Sequence, residues 1–275
     1  MSYRELKPDP NLQQDIRCFW TLEETQADYN AKNITPDPFV ELVINCGAPF
    51  VRRLTDGSEV EMPRVFLNTL QTKPLRMNAL GPVRAICMRL YPWSTGALLD
   101  TRLSDANASF IALDNKPWQD IALAVERTFH RQGYTEAITL LQEFVSGIYH
   151  RNRQTISPLR QAGSLLFETD GQIRMRELAA HCYLSSSQLE RRFKQLTQVT
   201  PKTYARIIRF RSIWERLVRN PDHDIITLAH DFGYTDQAHL THDFKAFAEQ
   251  TPTQFAAYAR TTPQQWQDAE FLQDT

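Results

Sequence analysis

Residues 178–201, LAAHCYLSSSQLERRFKQLTQVTP, and residues 228–252, LAHDFGYTDQAHLTHDFKAFAEQTP, are two versions of one pattern whose starts lie 50 positions apart. Leu228-Ala229 aligns with Leu178-Ala179, Phe232 with Cys182 and Gly233 with Tyr183. After one inserted residue in the second turn, Leu240 aligns with Leu189, Phe244 with Phe193, Phe247 with Leu196, and Thr251-Pro252 with Thr200-Pro201. Leu189, Phe193 and Leu196 recur at i, i+4 and i+7, the spacing of one buried helical face. Ser187, Glu190, Arg191 and Lys194 keep the same rhythm on another face and point outward. Leu240, Phe244 and Phe247 repeat the buried stripe, with Ala238, Thr241, His242 and Lys245 outside it. Each copy therefore reads as helix, tight turn, helix. Ser185 and Thr235 are the expected N-caps of the two second helices. TPKTYARIIRFRSIWERLVRN (200–220) reads as one longer helix between the copies, with Pro201 at its first position.

Charge is distributed unevenly. Residues 1–150 hold 15 Lys/Arg against 18 Asp/Glu, residues 151–219 hold 14 against 5, and residues 220–275 hold 2 against 9. The net values of −3, +9 and −7 set one basic block between two acidic ones, and a basic block suits a polyanion. A helix-turn-helix lays its second helix in the major groove of DNA, and two copies could enter successive grooves roughly 34 Å apart. The competing reading is a helical bundle whose duplication serves packing alone. Two copies together with the basic block favour DNA.

The first 110 residues or so differ in kind. FVELVINCG (39–47) and VRAICMRLYP (83–92) are short apolar stretches bounded by prolines and by TDGS (55–58), which predicts strands of a sandwich or small barrel. From residue 116 the period changes. PWQDIALAVERTFHRQ (117–132) and YTEAITLLQEFVSGIYH (134–150) read as two helices around Gly133. Their apolar stripes (Ile121, Val125, Phe129; Ile138, Leu141, Val145, Ile148) suit either packing on their own barrel or a homodimer surface through 116–149. HRNRQTIS (150–157) has no apolar period and is the expected linker.

These motifs resemble the AraC/XylS family of bacterial transcription regulators. The resemblance covers about 100 C-terminal residues through LAAHCYLSSSQLERRFKQLT…TPKTY and LAHDFGYTDQAHLTHDFK…TPTQF. PDPFVELVINCG and FLNTLQTKPLRM…RLYPWSTGALLD are similar to the sensor domain of one subgroup. The resemblance implies an N-terminal cupin-like barrel followed by dimerisation helices, with a bound small molecule changing how the DNA-binding domains sit on a promoter. RNA polymerase is a further candidate partner. The expected fold is thus α+β: residues 1–150 form a β-rich sensing or dimerising domain, helical over 116–149. Residues 151–260 form an all-α domain of two helix-turn-helix units joined by a long helix, and 261–275 form a tail.

Arg191 is the first candidate for base readout, because its guanidinium can grip guanine O6 and N7 together. Ser187, Gln188 and Glu190 are its neighbours, while Arg192, Lys194 and Lys202 suit phosphates. In the second copy the candidates are Gln237, His239, Thr241, His242 and Lys245. There the pattern departs from the family: His242 stands where Arg is common, Asp243 follows it, and Asp231, Asp236 and Glu249 lie close by. Tyr183 stands where the first turn commonly has Gly. The second unit is expected to contribute less affinity.

Asp37, Glu41, Asn45, Arg84 and Arg89 could line an effector site in the barrel, with an outward-facing Glu41 and Arg89 as the alternative. Catalysis is not expected. None of the seven histidines precedes His130, no phosphate-cradling glycine loop occurs, and the four scattered cysteines lack metal spacing. No cofactor, metal or membrane partner is expected. The charged, proline-punctuated start MSYRELKPDP is no secretory signal, and a cytoplasmic location follows as an expectation.

Overall fold

The computed structural model describes residues 2–24, 32–54, 56–103, 110–152 and 158–261. The expected linker at 150–157 lies outside them from residue 153 onward, as does the expected tail beyond Thr261. Contacts divide the chain into one unit of Met1–Ile34, Phe39–Leu70 and Leu75–Ile156, and another of Thr35–Pro38, Gln71–Pro74 and Ser157–Thr275.

In the first unit the described strands are β1 (Ser2–Leu6), β2 (Ile16–Glu24), β3 (Lys32–Ile34), β4 (Val40–Asn45), β5 (Phe50–Arg53), β6 (Glu59–Glu61), β7 (Val65–Asn68), β8 (Leu75–Ala79), β9 (Val83–Leu90) and β10 (Phe110–Ala112). The accompanying helices are α1 (Thr95–Leu99), α2 (Lys116–Gln132) and α3 (Tyr134–Asn152). A six-stranded sheet runs β1-β2-β9-β4-β7-β10 and a four-stranded sheet runs β3-β8-β5-β6. Every pairing among them is antiparallel.

The central strands β4 and β9 read as almost unbroken apolar runs because both of their faces are covered. On one face Leu22, Val43, Phe66, Ala85 and Cys87 meet Phe50 and Met77 of the smaller sheet and form the interior core. Leu42, Ile44, Ile86 and Met88 are buried on the opposite face, where α2 packs on β4 and β7. The stripes of the two long helices are buried within this unit: Trp118, Ile121, Val125 and Phe129 on α2, and Ile138, Leu141, Val145 and Ile148 on α3. A dimer through 116–149 would therefore have to use their polar outer faces.

The second unit is helical: α4 (Pro158–Glu168), α5 (Met175–His181), α6 (Ser186–Thr197), α7 (Pro201–Arg219), α8 (Ile225–Asp231), α9 (Gln237–Ala248) and α10 (Pro252–Thr261). Helices α5–α6 and α8–α9 are the two helix-turn-helix units, with α7 between them. Leu189 and Phe193 are buried as the spacing predicts, and Phe193 packs on Tyr204 of α7 with ring centroids 5.5 Å apart. Leu196 is only partly buried. Fully buried Thr197 ends that stripe instead, its hydroxyl donating to the Phe193 carbonyl at 2.9 Å. In the second copy Phe244 packs on Phe210 of α7 at 5.0 Å, and Phe255 of α10 stacks on Trp214 at 3.8 Å. Among the described residues no helix is long and apolar enough to cross a membrane.

The turn from α4 to α5 depends on one glycine. Gly171 has φ +70°, and a Cβ there would lie 2.2 Å from the Ala205 carbonyl oxygen on α7. Backbone meets backbone at this point, so neither side can yield. Gly171→Ala should destabilise this unit by about 2–4 kcal/mol, combining a positive-φ penalty with overpacking. Denaturant unfolding checks this, and an unchanged midpoint would contradict the close approach.

Candidate nucleic-acid interface

The duplication extends to backbone conformation. Cys182 (φ −93°, ψ 4°) matches Phe232 (φ −99°, ψ 16°), and Tyr183 (φ 55°) matches Gly233 (φ 68°). The Leu184 N–H donates to the Ala179 carbonyl at 3.0 Å, as the Tyr234 N–H does to Ala229 at 2.8 Å. Helices α6 and α9 each run for 12 residues and end on a left-handed residue, Gln198 and Glu249. Thr200 and Thr251 then cap the following helices through their hydroxyls.

In the first unit Ser185 caps α6 through a complete capping box. Its hydroxyl accepts from the Gln188 N–H (3.2 Å), and the Gln188 side chain accepts from the Ser185 N–H (2.9 Å). Ser187, Gln188, Glu190, Arg191, Arg192 and Lys194 are all exposed, as is Lys202 at the start of α7. Sequence reasoning missed two further exposed cations. Arg174 is the N-cap residue of α5, and Arg176 lies in its first turn, where a helix crossing the DNA backbone meets phosphates. Their counterparts in the second unit are Asp224 and Ile226. Aligning the first helices for charge as well as for apolar spacing would have found them.

The second unit corrects two expectations. The N-cap of α9 is Asp236, whose carboxylate accepts from the His239 N–H at 2.8 Å; the expected cap, Thr235, lies one residue outside. The inserted turn residue shifts the helix start, and the carboxylate supplies the stronger acceptor. Asp243, expected to weaken this copy's pull on DNA with the acidic residues around it, is only 3% exposed, and Arg206 of α7 binds it through two bonds of 3.0 and 2.8 Å. That bond is the leading reason why the Arg206 guanidinium is held above its ordinary pKa. Gln237, His239, His242 and Lys245 are exposed, and Thr241 is half-buried. Capping carboxylates also begin both helices of this unit. Asp224 at α8 is held below the usual carboxylate range by its bonds from Thr227.

The five residues expected to line an effector site separate. Glu41 and Arg89 do come together, the guanidinium donating at 3.0 and 2.7 Å. They sit two residues from Val43 and Cys87 along β4 and β9, hence on the interior face rather than outward. Asn45 organises the 45–48 turn, accepting from the Gly47 N–H and donating to the Ala48 carbonyl. Arg84 lies on the opposite face, 3.1 Å from Glu23 and 2.7 Å from His130 Nδ1 on α2. Asp37 belongs to the C-terminal helical unit, 3.8 Å from Arg211. The sequence reading missed Arg52 of β5. It is 1% exposed, opposite Met77 in register, 5.8 Å from the Phe110 ring centroid, and lowered by burial to a pKa of about 10. Two more interior-face residues, Trp20 and Asn68, each bury a polar atom, Nε1 and Oδ1, without a hydrogen-bond partner among the described residues.

Tyr183 holds a left-handed conformation that suits glycine, and its ring is 94% exposed. The ring therefore gives little packing in return for the strained backbone. Tyr183→Gly should stabilise the protein by about 1 kcal/mol, read as a higher melting temperature. Ser185→Ala should cost about 1 kcal/mol by removing the cap. Equal melting of either variant and the parent would refute the corresponding local account.

Residues 178–258, spanning both units, match the family described as "Helix-turn-helix domain". Residues 4–112 match one described as "Domain of unknown function (DUF6597)". No curated protein matches the chain. Among solved structures, ToxT from Vibrio cholerae is 10% identical, with a TM-score of 0.51 over 94% of this chain and 98% of that one. ToxT from strain SCE256 with an unsaturated fatty acid bound is 13% identical, with a TM-score of 0.48 over 86% and 93%. The AraC-like transcriptional activator CuxR is 13% identical, with a TM-score of 0.29 over 64% and 67%. The first of these shows a shared fold: an N-terminal β domain followed by helices and a C-terminal helix-turn-helix region. The tandem motifs, their repeated backbone geometry and the matched domain spanning both give residues 178–258 a helix-turn-helix region of the AraC type, as the resemblance to that family implies.

Proposed function

We propose that the protein reads a specific DNA sequence through both second helices, α6 and α9, in successive major grooves, under control of a small molecule held in the N-terminal β-rich unit. One observation carries the reading of both grooves. Two helices with the same backbone frame each bury an apolar stripe and leave a polar face exposed. Such a face costs nothing in water and matches base edges and phosphates in a groove.

The two units divide the work. In the first, Arg191 reads a base pair with Ser187, Gln188 and Glu190 beside it, and Arg192, Lys194, Lys202, Arg174 and Arg176 meet phosphates. In the second, Gln237, His239, Thr241, His242 and Lys245 face the groove with less fixed charge. The control site is the interior face around Glu41 and Arg89. There Trp20 can donate and Asn68 can accept, so a largely apolar molecule with a few polar groups fits. The protein acts by binding rather than by turnover, in the cytoplasm. A homodimer through the outer faces of α2 and α3, and a contact to RNA polymerase, belong to the same reading.

The test is selection of genomic fragments by the full-length protein at physiological salt, repeated with Arg191→Ala. A small set of enriched fragments should emerge. The substitution should cost about 1–3 kcal/mol at those sites and relax preference at one base position. Sequence-blind recovery would instead favour an architectural DNA-binding protein. His242→Arg should tighten binding to the selected sites by adding a fixed charge and fork. Unchanged or weaker affinity would remove His242 from the groove.

A further inference from the structure

The second helix-turn-helix unit contains a partly buried polar network at a position where the first has an exposed arginine. Arg206 of α7 grips α9 at two successive turns. It forms the paired bonds to Asp243 at 3.0 and 2.8 Å, and its guanidinium lies 5.3 Å from the ring centroid of Phe247. Tyr234, in the turn before α9, is buried, and its hydroxyl feels the charge of the same carboxylate. Burial and that carboxylate together raise the Tyr234 hydroxyl well above its ordinary pKa. Arg209, also on α7, covers the Tyr234 ring at 5.1 Å, and the His239 ring meets it edge-on at 5.1 Å. At the position of Asp243 the first unit has Arg192, which is exposed. Helix α6 is therefore held to its core through Leu189, Phe193 and Thr197, without an ion pair at that position.

Apolar contacts are non-directional, so they fix how deeply a helix sits better than how it is rotated about its axis. A planar guanidinium on a carboxylate fixes rotation, because both bonds fail together when the planes turn. Asp243 is the immediate neighbour of His242, whose side chain is 81% exposed. A rotation of about 20° would carry a side-chain tip at about 6 Å from the helix axis through about 2 Å. Recognition geometry tolerates only about 0.5 Å.

We infer that Asp243, Arg206 and Tyr234 are positioning residues for DNA recognition, setting the rotation of α9 so that His239 and His242 meet their base pairs. This rests on the reading that α9 enters a groove. A buried ion pair is weak support for stability, and apolar replacement of both partners is often neutral or stabilising. Positioning and stability can thus be separated.

The experiment uses the full-length protein on a selected fragment, with backbone footprinting, affinity measurement and thermal melting in parallel. Footprinting of the parent comes first. Protection of two half-sites one helical turn apart establishes that both units engage, and protection of a single half-site would overturn the reading and this inference together. The double variant Arg206→Met/Asp243→Leu should then melt no lower than the parent, lose protection over the second half-site alone, and bind about tenfold more weakly. Arg206→Lys, which keeps the charge without the fork, should weaken the same half-site. Parental protection of both half-sites by the double variant would overturn the inference. So would a lowered melting temperature with both half-sites lost, since the network would then be holding the fold.

Discussion

The helix-turn-helix unit depends on one wall shared by its two halves, the 19-residue helix α7. Neither pair of short helices could bury its stripe alone, since α5 and α8 are only seven residues long. Helix α7 offers each pair a separate aromatic partner, Tyr204 against Phe193 and Phe210 with Trp214 against Phe244, and Trp214 also stacks on Phe255 of α10. Its length of about 28 Å is close to the roughly 34 Å between successive major grooves. Packing and, on the proposed reading of two grooves, spacing thus come from a single element. Capping by Thr200 and the first-turn proline Pro201 fix where that element starts.

Gly171 belongs to the same constraint. The turn before α5 passes so near Ala205 that a side chain cannot be accommodated, which brings the first unit directly onto α7. Gln172 then reaches the second unit, its amide donating to the Asp231 carbonyl at 3.0 Å. A Cβ on Gly233 would stand 3.1 Å from that same side chain. The left-handed turn position is thus crowded in the second copy and open in the first, which explains why Tyr183 fits at one and Gly233 stands at the other.

Much of this was legible in the sequence. The duplication shows in Leu-Ala, the apolar stripe and Thr-Pro at matching offsets, because core positions and helix starts impose residue type locally. The rest depends on partners distant in sequence. Asp243 reads as a surface charge until Arg206, 37 positions earlier, is placed beside it. Thr235 and Asp236 are both competent caps, and only the path of the inserted turn selects between them. Glu41 and Arg89 sit in strands whose two faces are both buried, so alternation does not say which face is interior. Asn45 and Arg84 look like site residues for the same reason, yet one shapes a turn and the other anchors α2.

The two copies have diverged in what they contribute. The first concentrates permanent charge: Arg174, Arg176, Arg191, Arg192, Lys194 and Lys202 are exposed on or beside its two helices. Permanent charge gives affinity and encounter rate over many orientations. The second replaces Arg191 by His242 and Arg192 by a buried carboxylate, and begins both of its helices with aspartate. It gains a directional lock on α7 in exchange for electrostatic attraction. On the proposed reading, the charged unit drives the encounter with DNA and the rigid one holds the register. Such a division also explains a strongly basic block followed directly by an acidic one in a domain whose two halves share a backbone.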